Sequence, residues 1–514
     1  MGFDTTEEAG FRCAQAATSP AGSTREGWTA VRNRRYGSRS SAAGGSWGAT
    51  EEYGEAGSTV LDFGSTVLSE GDAERTVDDR IGAEVEWTPF IDTHEHLVEE
   101  SARTNWEPGH LTPCDDWSVL LSHYIDSDLV SAGMPAGDQE KLHSPDTDPI
   151  EKWSLVAPYW PAVKNTGYGQ AVRASVERLY DVPDLDDGTV GTVAERYRAT
   201  VKPGYYERVL RELAGVESCQ VDPIDGSVYR ESRLPTLLMQ DISLITLHMG
   251  SDCRRLAGPA GIEVRDLADY HSVVDWWFST YGPYATAVKS QAAYSRGLDF
   301  EDVPAERAEE PFKRQLDGDV LSAQDTKLVQ DHLFWYGARK AGEYNLPVKL
   351  HTGYYAGNDG MPIGRPAGNP AEVCELLRKA PDITFVLMHV CYPFHEQMIA
   401  IAKHWHNAVI DMCWAWIINP TAASRFLRDF IVTAPANKLL TFGGDYIPVE
   451  LVIGHAAIAR QGIASVLTDL VADEWLSAQD AVDLIDPIMH GNARRIFNLA
   501  EKAEWLAKAP WVAW

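Results

Sequence analysis

The chain has 514 residues, of which 44% are hydrophobic, and 75 acidic against 45 basic side chains give it a formal net charge of −30. This length fits a large α/β barrel with insertions, and the charge disfavours nucleic acid and anionic membranes as partners. The seven cysteines are scattered and form no Cys-x-x-Cys pair, which favours a reducing cytoplasm over a disulfide framework. No uninterrupted apolar run approaches the ~18 residues of a membrane span. We therefore expect a cytoplasmic protein that acts on a small molecule, and composition leaves homo-oligomer formation open.

Residues 1–84 differ in composition from the rest of the chain. The stretch Gly37–Ser46 is rich in glycine, serine and alanine, and no apolar periodicity persists around it. Such composition is typical of segments that cannot bury enough apolar surface to fold. We predict a disordered N-terminal extension over 1–84 and a single folded domain over 85–514.

From residue 89 onward, short apolar segments with strand character alternate with helical patterns. The predicted strands are, in chain order, Phe90–Thr93, Val216–Val221, Ser243–His248, Ala285–Lys289, Pro347–His351, Ile383–His389, Ala408–Asp411 and Leu439–Phe442. Strands alternating with helices predict a parallel sheet, and eight of them predict a closed (β/α)₈ TIM barrel. The long segment 97–203 follows the first strand, so it predicts a mainly helical lid over the barrel mouth, with a stabilising decoration of the rim as the alternative.

The first predicted strand ends in His94-Glu95-His96. Side chains two residues apart on a strand share a face, so these two imidazoles point the same way. Neutral imidazole nitrogens are good ligands for a divalent metal. Two solvated histidines at a strand end are the alternative, and the motif alone does not decide between them.

Other strand ends carry further candidate ligands. These are Lys289 at the end of the fourth strand, His351 at the end of the fifth, His389 at the end of the sixth, and Asp445 after the Gly443-Gly444 pair that follows the eighth. The carboxyl ends of barrel strands are where a TIM barrel places its active site. Packing alone does not explain four histidines and an aspartate in these positions, so together they predict a metal centre.

The order His-x-His, Lys, His, His, Asp resembles the metal pattern of the amidohydrolase superfamily. Within it, the stretch Ala287–Ser290 with Ala293–Leu298 resembles the amidohydrolase-related branch, in particular the barrel half of nodulin/glutamine-synthetase-like fusion proteins. The resemblance implies that His94, His96, His351 and Asp445 bind metal. It also implies that Asp445 shuttles a proton, and that His389 either binds a second metal or stabilises an oxyanion.

Lys289 has two readings under this resemblance. In binuclear members of the superfamily the matching lysine becomes a carbamate that bridges two metals, because an ammonium has no lone pair to offer a cation. The other reading keeps Lys289 as a cation that binds a substrate anion. We expect one ion rather than two, with zinc as the first choice and manganese or iron as the alternatives.

The reaction that follows from the resemblance is hydrolysis of an amide-type C–N bond by a metal-activated water. Arg296 is the candidate anchor for a substrate carboxylate, with a salt bridge to a neighbouring acid as the alternative. Tyr294 is a candidate wall of the substrate pocket, with ordinary packing as the alternative. Non-oxidative decarboxylation and sugar-acid isomerisation are the alternative reactions on this architecture.

Overall fold

The computed structural model describes residues 76–512 except 110, 250, 251 and 359. Its strands run parallel in two hydrogen-bonded sets, β1-β2-β3 and β4-β5-β6-β7-β8-β9. In order, β1 to β9 span Phe90–Glu95, Val216–Val221, Leu238–Gln240, Ile242–Ser243, Val288–Ser290, Val348–Leu350, Phe385–Leu387, Ala408–Asp411 and Leu439–Leu440. The predicted disordered extension falls mainly on residues 1–75, which lie outside the described residues. The prediction was wrong for 77–84, because these residues belong to the helix Val77–Trp87, which Thr76 caps.

The nine segments make eight barrel strands because β3 and β4 are two parts of one strand. Only Asp241 separates them, and its N–H donates to the carbonyl of Val221 in β2 at 2.9 Å. On the other side, the N–H of Thr286 donates to Gln240 in β3, and Ile242 in β4 pairs with Val288 in β5. The predicted (β/α)₈ barrel is therefore confirmed.

The barrel closes between β1 and the segment that follows β9. The N–H of Thr93 donates to the carbonyl of Phe442 at 3.1 Å, and the N–H of Asp445 donates to that of His94 at 2.9 Å. The N–H of His96 then donates to the carbonyl of Tyr446 at 3.0 Å. These three bonds join the first and last strands and bring the two ends of the predicted metal pattern together.

The prediction for the third strand was wrong. We expected a strand over Ser243–His248, whereas the strand ends at Ser243 and Leu244–Met249 is a helix. A short apolar run fits a buried strand and a buried helix equally well, because periodicity does not separate the two at this length. The true third strand lies a few residues earlier in the chain.

Helices surround the barrel. Those outside the insertion are Val77–Trp87, Leu244–Met249, Cys253–Ala257, Leu267–Tyr281, Ala305–Leu316, Ala323–Glu343, Gly364–Lys379, His395–His404, Ala415–Ile418, Pro420–Thr433, Leu451–Ala472, Ala478–Asp486, Asn492–Ile496 and Leu499–Leu506. By length and composition Leu451–Ala472 could cross a membrane, but 61% of its apolar window is buried inside the protein. A core helix of a barrel has the same apolar character, since it is covered on most sides.

The segment between β1 and β2 is mainly helical, as predicted. Its helices are Glu100–Thr104, Ile125–Ser131, Ala136–His143, Glu151–Val156, Trp160–Val163, Gly167–Tyr180 and Val190–Thr200, with a 3₁₀ turn at Trp117–Leu121 and a π-helix at Glu207–Leu213. A buried ion pair ties this insertion to the barrel: Arg103 donates to both carboxylate oxygens of Glu450, at 3.1 and 2.7 Å.

Candidate metal centre

Three of the predicted ligands converge at the carboxyl end of the barrel. The Nε2 atoms of His94 and His96 each lie 3.2 Å from Oδ1 of Asp445. His94 lies in β1 and His96 directly follows it, with ring centres 4.6 Å apart, and the closing hydrogen bonds of the barrel bring Asp445 to both rings. The three donor atoms lie within 4.8 Å of one another, as the ligands of one ion must.

The two glycines before Asp445 make this approach possible. A Cβ on Gly444 would overlap the Glu95 carboxylate, and one on Gly443 would lie 2.8 Å from the Cys413 side chain. Asp445 itself has a φ of +62°, a left-handed conformation that costs energy in a residue with a side chain. The surrounding hydrogen bonds hold the strained backbone in place, so the carboxylate is aimed at the histidines.

The protonation states suit a divalent cation. Burial, followed by the charge of Lys289, holds the pKa of His94 well below its ordinary value, so its ring is neutral. Burial alone would raise the pKa of Asp445, but the close approach of His94 and His96 outweighs it and holds that pKa well below its usual range. Two imidazoles and one carboxylate are a donor set that zinc, manganese and iron all accept. The residues therefore fit a divalent metal, and the metal's identity stays a prediction.

A neighbouring main-chain group fixes the orientation of the His96 ring. Its Nδ1 lies 2.9 Å from the carbonyl oxygen of Asp222, so Nδ1 carries the proton and Nε2 keeps its lone pair for a metal. Below the site, Lys349 donates to the carbonyl of Thr93 and to Asp241, both at 2.7 Å. This buried amine thus anchors β1 one residue before His94.

Lys289 enters the centre from β5. Its Nζ lies 3.1 Å from Nε2 of His94, and its side chain is buried. Burial lowers the pKa of Lys289, while the charges of Asp445 and Asp222 act in the opposite direction. The lysine is thus placed beside a metal ligand, as the predicted pattern requires, and both of its predicted readings remain open.

His389 and His351 lie beside the same centre. We call the space bordered by these two histidines, Lys289 and the three donors the chamber. His389 follows β7 with a φ of +61°; its Nδ1 lies 3.1 Å from the carbonyl of Cys413 and 4.0 Å from Oδ2 of Asp445. The rings of His389 and His351 are 4.4 Å apart, but Nε2 of His351 lies 2.8 Å from the carbonyl oxygen of Tyr354. His351 is therefore close to the centre without joining the three donors, and its role as a ligand stays a prediction.

Arg296 and Tyr294 have different surroundings. The guanidinium of Arg296 lies 2.6 Å from Asp331, 3.1 Å from Gln330 and over the Phe300 ring. These contacts agree with the alternative of a salt bridge to a neighbouring acid, and not with the predicted substrate anchor. The Tyr294 ring lies 4.5 Å from that of His351, and its role as a wall of the substrate pocket stays a prediction.

The insertion supplies two residues that sequence reasoning missed. The Tyr124 hydroxyl donates to the carbonyl of Asp445 at 2.5 Å, and its ring stacks on Trp414 at 4.7 Å. The His123 ring lies 6.3 Å from that of His96. No motif marks this His-Tyr pair, since it lies in a segment without strand periodicity; its aromatic content was the only signal.

A parallel eight-stranded barrel with metal donors at the carboxyl ends of its strands defines a metal-dependent barrel enzyme. Residues 286–499 match the family model described as Amidohydrolase. The match covers less than half of the chain, and this part of the barrel is similar to the amidohydrolase family.

Comparison with known proteins gives three informative relatives. Protein fluG of Emericella nidulans is 25% identical over 232 residues, which is 43% of this chain and 26% of fluG. The uronate isomerase of Phenylobacterium zucineum is 22% identical over 480 residues, which is 85% of this chain and 96% of that enzyme. The crystal structure of the uronate isomerase of Thermotoga maritima has a TM-score of 0.65 at 13% identity, covering 84% of this chain and all of that one. The chain thus spans about a quarter of fluG but nearly the whole length of both isomerases.

Proposed function

We propose that this protein is a metal-dependent sugar-acid isomerase that interconverts the aldose and ketose forms of a uronate. The observation that carries the proposal is the extent of the match. Uronate isomerase similarity covers 85% of the chain and 96% of the relative, whereas fluG similarity covers only 43% of the chain. A match of that length has to include part of the helical insertion as well as the barrel. The insertion contributes Tyr124 to the chamber, so a match that includes the insertion is relevant to the reaction.

The burial of the chamber supports isomerisation over hydrolysis. His94 and His389 are fully buried, and Asp445 is 5% exposed. Hydrolysis consumes a water molecule in every turnover, whereas isomerisation only moves hydrogen within the substrate. A chamber closed to solvent protects a reactive intermediate from side reactions. We therefore place hydrolysis of a C–N bond second, although the same donor set could support it.

The reaction requires one proton to leave the carbon beside the carbonyl group and to return at the former carbonyl carbon. A second proton moves between the two substrate oxygens. Oδ1 of Asp445 faces the two histidines, while Oδ2 is 4.0 Å from His389, so Oδ2 is the oxygen free to take and return a proton. A divalent ion held by His94, His96 and Asp445 would polarise the carbonyl group.

Two neighbouring side chains complement this carboxylate. Burial raises the pKa of Tyr124 well above its ordinary value, so its hydroxyl stays protonated and acts as a hydrogen-bond donor. Burial lowers the pKa of His389 to about 4, so its ring is neutral at physiological pH. Tyr124 already donates its proton to the Asp445 carbonyl, so the lone pairs of its oxygen and the neutral ring of His389 can orient substrate hydroxyl groups without adding charge to the chamber.

The test is a substrate panel with protein loaded with zinc or manganese. D-glucuronate and D-galacturonate are followed by NMR for ketose formation, and N-acyl and γ-glutamyl amides are followed for amine release. Aromatic carboxylic acids, followed for carbon dioxide, complete the panel. We expect ketose formation that Asp445→Asn abolishes and that the matched loop variant Asp225→Asn leaves intact. Amine or carbon dioxide release without ketose formation would refute the proposal.

A further inference from the structure

Asp222 is a buried carboxylate at the edge of the chamber. It directly follows β2 and is fully buried. Neither of its two carboxylate oxygens has a hydrogen-bond partner within the described part of the chain. Burying a carboxylate costs several kcal/mol unless it is paired, so such groups are nearly always satisfied. An unsatisfied one therefore requires an explanation.

The barrel provides partners for comparable carboxylates nearby. Asp241 accepts hydrogen bonds from Lys349 and Thr286, both at 2.7 Å. Asp411 accepts from the Thr93 hydroxyl and from the N–H of Cys413, both at 2.8 Å. Both are fully buried, like Asp222. Asp222 differs from these two carboxylates in this respect.

The position of Asp222 places it beside the metal centre. Its main-chain carbonyl lies 2.9 Å from Nδ1 of His96, so its peptide group borders a metal ligand. Among the neighbouring positively charged or ionisable groups, Lys289 has the largest effect on the pKa of its carboxylate, followed by His96. Lys289 in turn contacts His94, so Asp222 is close to residues of the metal centre on β1 and β5.

We propose that Asp222 forms a subsite that accepts hydrogen bonds from hydroxyl groups of the substrate. This inference rests on the proposed function. It places the hydroxyl-bearing carbons of the sugar acid near β2. Two carboxylate oxygens can accept from two neighbouring hydroxyl groups, an arrangement that a polyhydroxy substrate satisfies. A substrate without hydroxyl groups would leave the buried carboxylate unpaired, so Asp222 would select against it.

The test measures binding separately from turnover. D-gluconate, an open-chain polyhydroxy acid without a carbonyl to isomerise, is titrated calorimetrically into metal-loaded wild type, Asp222→Asn and Asp222→Ala. We expect Asp222→Ala to weaken binding by about 10- to 100-fold, the range for a lost charged hydrogen bond, and Asp222→Asn to be intermediate. Asp225→Asn is the matched control, because Asp225 lies three residues away and pairs with Arg230 at 3.0 Å. Metal content should stay at the wild-type value in all three variants.

Kinetics give a second readout. For D-glucuronate, we expect Asp222→Ala to raise KM by a similar factor and to change kcat by less than about threefold, since the interaction is with groups that do not react. For deoxy analogues lacking the hydroxyl group that Asp222 contacts, wild type and variant should have equal KM.

Each contrary outcome has a separate meaning. Unchanged gluconate affinity in Asp222→Ala overturns the subsite, and so does a loss of metal, which would make Asp222 a ligand. If gluconate binding depends on Asp222 but no uronate is isomerised, the proposed function fails and the subsite stands. If uronates are isomerised with the same KM by wild type and Asp222→Ala, the subsite fails and the proposed function stands.

Discussion

The ammonium nitrogen of Lys289 lies 3.1 Å from Nε2 of His94, the same ring nitrogen that lies 3.2 Å from the Asp445 carboxylate. That nitrogen has one lone pair, which can serve a lysine proton or a metal but not both. A positively charged lysine also repels an incoming divalent ion. Metal binding therefore requires Lys289 to move away from His94 or to change its chemical state.

The first prediction follows for a cationic Lys289. Lys289→Met should keep one metal per chain and bind it about tenfold more tightly, because the variant removes a buried positive charge next to the ion. Competition with a chelator of known affinity measures this, and Lys340→Met, at the protein surface, is the control. Loss of metal that short carboxylates restore would instead identify Lys289 as a carbamate.

The second prediction concerns metal and stability. An ion that binds only the folded protein stabilises it by about 2.7 kcal/mol when its free concentration is a hundredfold above Kd. Adding metal should therefore raise the Tm of wild type and a chelator should reverse the change, as differential scanning calorimetry would measure. His96→Asn should show no metal-dependent change. An equal rise in both proteins would mean that the metal binds elsewhere.

The third prediction concerns the ion pair between the insertion and the barrel. Arg103 and Glu450 are both fully buried, so Arg103→Leu leaves a carboxylate without its partner and should cost about 3–5 kcal/mol. Arg339→Leu, which breaks an exposed pair with Asp302, should cost no more than about 1 kcal/mol. Urea unfolding measures both. The double variant Arg103→Leu with Glu450→Leu should recover part of the loss, and a double variant as unstable as the sum of both single variants would contradict the pairing.

The fourth prediction concerns pH and lies far from the metal centre. Nε2 of His271 lies 2.8 Å from Nε2 of His332, and burial, followed by the charge of His332, lowers the pKa of His271 to about 4. Since this folded-state pKa is below the ordinary value of 6.5, the unfolded chain binds the proton first as pH falls. The free energy of unfolding should therefore decrease from pH 6.5 towards pH 4.

The variant His271→Asn should remove this decrease, which we place at about 1 kcal/mol after allowing for solvent screening of a half-exposed ring. Urea unfolding at several pH values measures it, and His404→Asn, which replaces an exposed histidine, is the control. If His271→Asn and wild type lose stability in parallel, the histidine pair does not contribute.

The barrel could be predicted from the sequence because seven of the eight predicted strands, all of them apolar segments that alternate with helical patterns, overlap observed strands by two residues or more. His94 and His96 were informative because the His-x-His spacing at a strand end predicts that their side chains share a direction. Asp445 was informative because two glycines precede it. Strand periodicity failed at Leu244–Met249, where an apolar run forms a helix.

Residues whose position depends on other segments could not be predicted. Tyr124 reaches Asp445 only through the packing of the insertion, and no local pattern encodes that contact. The pairing of Arg296 with Asp331 depends on where a following helix lies. Asp222 stands out only when the partners of every buried carboxylate are known, which is information that a sequence does not contain.

The closure of the barrel between β1 and the segment after β9 has a consequence for how the protein is made. A ribosome that adds about 5–20 residues per second completes His96 on the order of tens of seconds before Asp445. During that interval the two histidines lack their carboxylate partner, so a growing chain can offer a metal only an incomplete set of donors. Tight metal binding therefore requires the last strand. A bound ion indicates that this strand has been synthesised and that it has paired with the first strand.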